Sequence, residues 1–154
     1  MLSYKHGYHA GNQADVLKHI CLIQAYKSLK KHHKSISYID THAGSGDYDF
    51  KSDYMSKNKE YENGISKLEN YKYENQSIKF YLKVLRNINN SKKMTFYPGS
   101  PSIMSHLSDS SDKLLFYELH NNEVKLLRRH LSKQINSKVY NMDGFEFFLQ
   151  KINP

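Results

Sequence analysis

The sequence contains one cysteine, Cys21, in 154 residues. A lone thiol closes no internal disulfide and builds no Cys-based zinc cluster. It lies in the apolar run 20–23, where a small thiol is expected to pack in the core, and its isolation suits a reducing, cytoplasmic setting. No apolar run approaches the roughly 20 residues that a membrane-crossing helix needs. Residues 1–6 lack the apolar stretch of a secretory signal. There is no Gly-x-Gly-x-x-Gly, which argues against a nicotinamide-binding oxidoreductase. His19 and His42 have no third ligand at useful spacing, so no metal site is expected. Acidic residues are also scarce: 15 Asp and Glu stand against 23 Lys and Arg, for a net charge of +8. That balance favours polyanions, nucleic acid first among them. A Lys-, Asn-, Ser- and Tyr-rich composition accounts for the same charge without any partner.

The length is that of one ordinary domain. Residues 1–35 read as an arm and a helix. Asn12 caps that helix, which runs from about Gln13 to Lys31 and buries a face containing Val16, Leu17, Ile20, Ile23 and Leu29. Residues 36–40 form a first strand, and residues 47–94 a helical insertion with helices around Tyr61–Leu68 and Ile78–Ile88. The motif Tyr97-Pro-Gly-Ser-Pro101 reads as a turn into a short helix, with proline where its missing N–H does no harm. Residues 113–118 form the second strand, followed by a helix capped by Asn121 or Asn122. Residues 138–142 form the third, and Asp143 opens a last helix. This β-α alternation predicts an α/β fold with an open parallel sheet.

In such a sheet, ligands sit beyond the C-terminal ends of the strands. Three features fall there. Asp40-Thr-His-Ala-Gly-Ser-Gly46 follows the first strand, and Gly44 and Gly46 allow a tight turn close to a ligand. Glu118 closes the second strand, where a carboxylate can accept two ribose hydroxyls; a plain surface acid is the alternative. Asp143-Gly144 follows the third, where Asp can accept from an adenine amino group or simply cap a helix. His19 and His42 suit hydrogen bonds to a ligand's polar end. In the arm, Tyr4 and Tyr8 can stack on bases, or pack against the fold.

These residues resemble a specific family. The opening Met1-Leu-Ser-Tyr-Lys-His6 and the block His9-Ala-Gly-Asn-Gln-Ala-Asp-Val-Leu-Lys-His19 are similar to the N-terminal motif of bacterial 23S ribosomal RNA adenine-N6 methyltransferases of the J type. The glycine loop, Tyr97–Pro101, Glu118-Leu-His120 and Asp143-Gly-Phe145 match in order and spacing. The resemblance implies a Rossmann-like S-adenosylmethionine (SAM)-dependent methyltransferase fold with a helical insertion after the first strand. It implies that His19, His42, Ser100, Glu118, Asp143 and Gly144 contact SAM and that Tyr4 contacts RNA. The implied partner is 23S ribosomal RNA, free of protein or partly assembled, with no membrane and no metal.

The family's catalytic Asp-Pro-Pro-Tyr, at the end of a fourth strand, has no counterpart here, since the prolines are Pro98, Pro101 and Pro154. The resemblance therefore implies a C-terminally truncated domain that holds the cofactor half, carries no catalytic residue and transfers nothing alone. The alternatives are a non-catalytic RNA- or SAM-binding module, or a truncated product without function.

Overall fold

The computed structural model describes residues 6–70, 72, 74–91 and 93–152. Helix α1, Gln13–Lys30, begins where Asn12 turns extended and its side-chain oxygen accepts from the Asp15 amide, a standard N-cap. Its buried stripe is Asp15, Val16, His19, Ile23 and Tyr26. Leu17 and Leu29 are exposed, as is Cys21, which corrects the expectation that these three pack inward. Each helical residue turns the face by about 100°. With His19 near the centre of the buried stripe, Leu17 and Cys21 fall on the opposite face and Leu29 on its flank.

Strand β1, Ser37–Asp40, pairs in parallel with β4, Lys113–Tyr117, and β4 pairs in parallel with β5, Ser137–Tyr140. The expected open parallel sheet is therefore present, in the order β1-β4-β5. Its register aligns Asp40 with Phe116, and Tyr117 with Tyr140. Consequently Asp40, Glu118 and the residues after Tyr140 share one rim. Among the described residues, β1 has a strand on one side only.

The segment 47–94 holds α2 (Asp53–Asn58), a 3-10 turn at Glu60–Asn63, α3 (Ile65–Glu69) and α4 (Gln76–Asn89). It also contributes a strand that the sequence reading leaves out: β2, Asp47–Asp49, pairs antiparallel with β3, Phe96–Pro98. Part of the expected turn at 97–101 is thus strand. Three residues are too few to display an alternating pattern.

Helix α5, Ser100–Leu107, lies between two apolar clusters. Its Ile103 joins Val16, Ile23, Tyr48, Ile65, Tyr81, Leu85 and Tyr97. Its Met104 joins Tyr26, Leu114, Phe116 and Leu127 on the sheet side. Helix α6, Asn121–His130, is preceded by His120 without a side-chain cap, so neither Asn121 nor Asn122 caps it. Instead a Glu118 carboxylate oxygen accepts from the His120 amide at 2.8 Å. Asp143 does cap α7, Gly144–Ile152, accepting from the Phe145 amide at 2.8 Å and the Glu146 amide at 3.3 Å.

Away from the rim, a buried carboxylate ties the lower ends together. Asp112 accepts from Tyr26 Oη at 2.7 Å, Lys30 Nζ at 3.0 Å and the Ile36 amide at 2.8 Å. Burial works to raise its pKa, but the hydrogen bonds from Tyr26 and Lys30 win and hold it below 3.8. Its stabilisation is therefore present above pH 3.8 and lost as pH falls through the lower folded value. Asp112→Ala leaves the Ile36 amide without its partner and is expected to cost about 3 kcal/mol, read as a lowered midpoint in thermal unfolding at pH 7.

Candidate cofactor-binding site

A cavity of about 810 Å³ opens at the rim of the sheet, within the usual size range for small-molecule sites. His19, His42, Ser100, Glu118, Asp143 and Gly144 all line it. Tyr4 lies outside the described residues. The cavity also takes in residues that the sequence reading did not select, among them Asp15, Lys18, Tyr48, His120 and Glu123. Asp15 and Lys18 fall inside the His9–His19 block and His120 closes Glu118-Leu-His120, but nothing in those stretches sets them apart; Tyr48 and Glu123 are joined to the strand ends only by the fold.

The glycine loop is held at fixed points. Asp40 Oδ2 accepts from Ser100 Oγ at 2.6 Å and Tyr38 Oη at 3.0 Å, while Oδ1 accepts from the His42 amide at 3.2 Å. Asp40 thus organises the loop that it opens. Gly44 and Gly46 adopt φ of 64° and 93°, in the left-handed region that glycine enters freely. A Cβ on Gly44 would collide with Tyr48 Oη. The Gly44 amide donates to Glu118 Oε2 at 2.8 Å.

Glu118 is 8% exposed. Its Oε1 accepts from the amide and Nδ1 of His120, at 2.8 and 3.1 Å. Oε2 keeps a lone pair beyond its one bond, while Oε1 spends both of its own, one of them on the long contact to His120 Nδ1; the carboxylate is oriented by protein donors and still able to accept from a ligand. His120 Nε2 is buried with no hydrogen-bond partner. Buried polar atoms are rarely left so, and this one belongs to a residue that lines the cavity, where a polar ligand would supply a partner.

At the other end, His19 is 1% exposed. Burial lowers its pKa to about 3, so the ring is neutral and carries one hydrogen. Its Nδ1 stands 2.8 Å from Tyr97 Oη, which stands 3.1 Å from Tyr81 Oη. Tyr81 donating to Tyr97, and Tyr97 to Nδ1, places both buried hydroxyl hydrogens on acceptors. The imidazole hydrogen then belongs on Nε2, and His19 offers the cavity a neutral donor. Beside it, Asp15 is buried and accepts from His6 Nε2 at 2.8 Å, the Gly11 amide at 3.1 Å and Lys18 Nζ at 2.8 Å. Burial opposes ionisation there, yet the bonds from His6 and Lys18 pull its pKa well below 3.8.

The arm from residue 6 onward is fastened to the fold. His9 Nδ1 reaches Glu60 at 2.9 Å, and Tyr8 packs edge-on against Tyr54 at 5.1 Å. Among the described residues no group of three His, Cys, Asp or Glu could hold a metal ion, and no helix is long and apolar enough to cross a membrane.

Residues 33–154 match the model of the family described as ribosomal RNA large subunit methyltransferase D, RlmJ. The chain belongs to the RlmJ family. It is 38% identical over 154 residues to ribosomal RNA large subunit methyltransferase J of Escherichia coli K12, covering all of this chain and 55% of that protein. With the protein of the same name from Haemophilus influenzae Rd it shares 40% identity over 147 residues, covering 95% of this chain and 52% of the relative. The crystal structure of protein LPL1258 from Legionella pneumophila Philadelphia 1 superposes with a TM-score of 0.79 at 34% identity, covering 95% of this chain and 54% of that one. The chain thus spans about half the length of the RlmJ relatives it matches. The resemblance and the fold class read from the sequence agree with these findings.

Proposed function

We propose that this chain is the SAM-binding half of a methyltransferase that modifies the exocyclic N6 of an adenine in 23S ribosomal RNA. The observation that carries the reading is the convergence of Glu118, Asp143, Ser100 and His19 on one cavity, in a chain of the RlmJ family. The donor and acceptor set suits the cofactor from end to end. Glu118 offers the free lone pair of Oε2 to one ribose hydroxyl, and Oε1 accepts from the other where that displaces the 3.1 Å contact to His120 Nδ1. Asp143 spends Oδ1 on its helix cap, which leaves Oδ2 for the adenine amino group. His19 and His42, which line the same cavity, would partner the carboxylate and the amine, the Nε2–H of His19 suiting the carboxylate. Bound there, SAM supplies a methyl group on a sulfonium, for which alignment with the attacking nitrogen provides much of the acceleration.

The RNA partner is supported by the net charge of +8 and by the names of the relatives. Such an enzyme works on ribosomal RNA in the cytoplasm, on free or partly assembled 23S RNA, with the target base flipped from its stack. The 154 residues contain no Asp-Pro-Pro-Tyr, so on this reading another segment supplies the residues that receive the target adenine. Calorimetric titration of the chain with SAM tests the reading. Saturable one-to-one binding is expected, with no methyl transfer to protein-free 23S RNA until a segment carrying that motif is added. RNA binding that falls steeply with salt, without any SAM binding, would favour a non-catalytic RNA-binding module instead.

A further inference from the structure

Outside the cavity, three polar side chains from three elements meet at the far end of the glycine loop. His130, the last residue of α6, places Nδ1 3.0 Å from Asp47 Oδ2 and Nε2 2.8 Å from Ser102 Oγ. Ser102, buried in α5, also lies 2.6 Å from Asp47 Oδ1 and 2.9 Å from the Gly46 carbonyl oxygen. That carbonyl accepts from the Gly99 amide at 2.7 Å. The ring packs directly on the loop: a Cβ on Gly46 would be 3.2 Å from His130 Cδ2.

The number of hydrogens fixes the charge of the ring. Ser102 has one hydroxyl hydrogen, and two of its neighbours, the Gly46 carbonyl and the Asp47 carboxylate, can only accept. Its hydrogen therefore points at one of these, and Nε2 must donate to Oγ. Nδ1 faces a carboxylate oxygen and must donate as well. Both ring nitrogens carry hydrogen, so His130 is an imidazolium. A neutral ring would set a nitrogen lone pair against the serine oxygen, or turn the hydroxyl away from both acceptors. Asp47 is the charged group bonded to the ring; Gly46 and Ser102, which also meet it, are uncharged.

We propose that His130, doubly protonated between Asp47 and Ser102, is a positioning residue that latches the far end of the glycine loop and thereby raises the affinity for SAM. The role rests on the cofactor reading given above. Gly46 lies two residues beyond Gly44, whose amide holds Glu118, and its carbonyl is tied to Gly99, the neighbour of Ser100. A loosened latch therefore frees the loop that orients Glu118 and Ser100.

The bond to Asp47 raises the pKa of His130 above 6.5 against the opposing pull of burial. A raised histidine pKa means that the latch is complete below the unfolded value and is lost as pH rises through the folded one. The test follows His130 by NMR in the ¹⁵N-labelled chain from pH 5.5 to 9, together with hydrogen exchange at the bonded amides of Gly44 and Gly99 and calorimetric titration with SAM. Deprotonation of His130 is expected to strip protection from those amides and to weaken SAM binding about fivefold over the same interval. Ser102→Ala removes the oxygen that conflicts with a neutral ring, so its affinity is expected to lose the pH step. His130→Gln is expected to bind weakly and without a step.

Titration of His130 with no change in loop protection would overturn the latch. SAM affinity that stays flat while His130 titrates would overturn its positioning role. Absence of SAM binding at every pH would sink the cofactor reading and that role with it, whereas the exchange data would still report on the latch.

Discussion

Glu118→Ala is expected to weaken SAM binding about a hundredfold. Two hydroxyl hydrogen bonds to an ionised acceptor contribute about 1.5 kcal/mol each, and about 3 kcal/mol is a factor of roughly one hundred in the dissociation constant. The change also removes the acceptor of the Gly44 and His120 amides, so on the β4 side the loop keeps only the bond from the Ala43 amide to the Tyr117 carbonyl. Glu118→Gln keeps one oxygen and is expected to lose about tenfold. Calorimetry on both variants, with thermal unfolding to confirm that each is folded, checks the ordering. Equal affinity for the wild type and Glu118→Ala would remove the ribose role.

Gly144→Ala is expected to lower SAM affinity about tenfold and to destabilise the fold by about 2 kcal/mol, the scale of a steric insertion into packed structure. A Cβ at this position would stand 2.6 Å from Thr41 Cα and 2.7 Å from Thr41 O. Those are backbone atoms at the exit of β1, and they cannot rotate aside as a flexible side chain can. Helix α7 must back away from the glycine loop and carry its cap, Asp143, with it. The glycine is thus demanded by close approach of two chain segments at the cavity wall. Unchanged affinity in the calorimeter would show that the cavity tolerates the displacement.

The strand ends were readable because each couples an apolar run to a residue of unusual chemistry. Ile36 to Asp40, Leu114 to Glu118 and Val139 to Asp143 each leave a carboxylate on the same rim, and the parallel register then brings them together. The Asn12 cap was legible for the same local reason. Buried polar connections between distant segments were not. Nothing in the sequence indicates that Tyr97 reaches His19, or that His130 reaches Asp47, because each pair is separated by several elements. The buried stripe of α1 was misread at Leu17, Cys21 and Leu29 since hydrophobicity alone does not reveal that Asp15 and His19 claim part of the inward face. Strand β2 escaped notice because its identity comes from its partner, β3, rather than from its own three residues.

The pairing of β2 with β3 bears on how this fold can change over generations. A segment inserted after a first strand is easily taken for an appendage, free to be lost, lengthened or exchanged. Here it enters through β2 against β3, and Met55, Ile65, Tyr81 and Leu85 from it share a core with Val16 and Ile23 of α1. Tyr81 further reaches, through Tyr97, a wall of the cavity. Excising residues 47–94 would strip one side of α1 and leave β3 without a partner. Inheritance can therefore trim or extend the exposed connections between these helices, but the stems are bound to the history of the site itself.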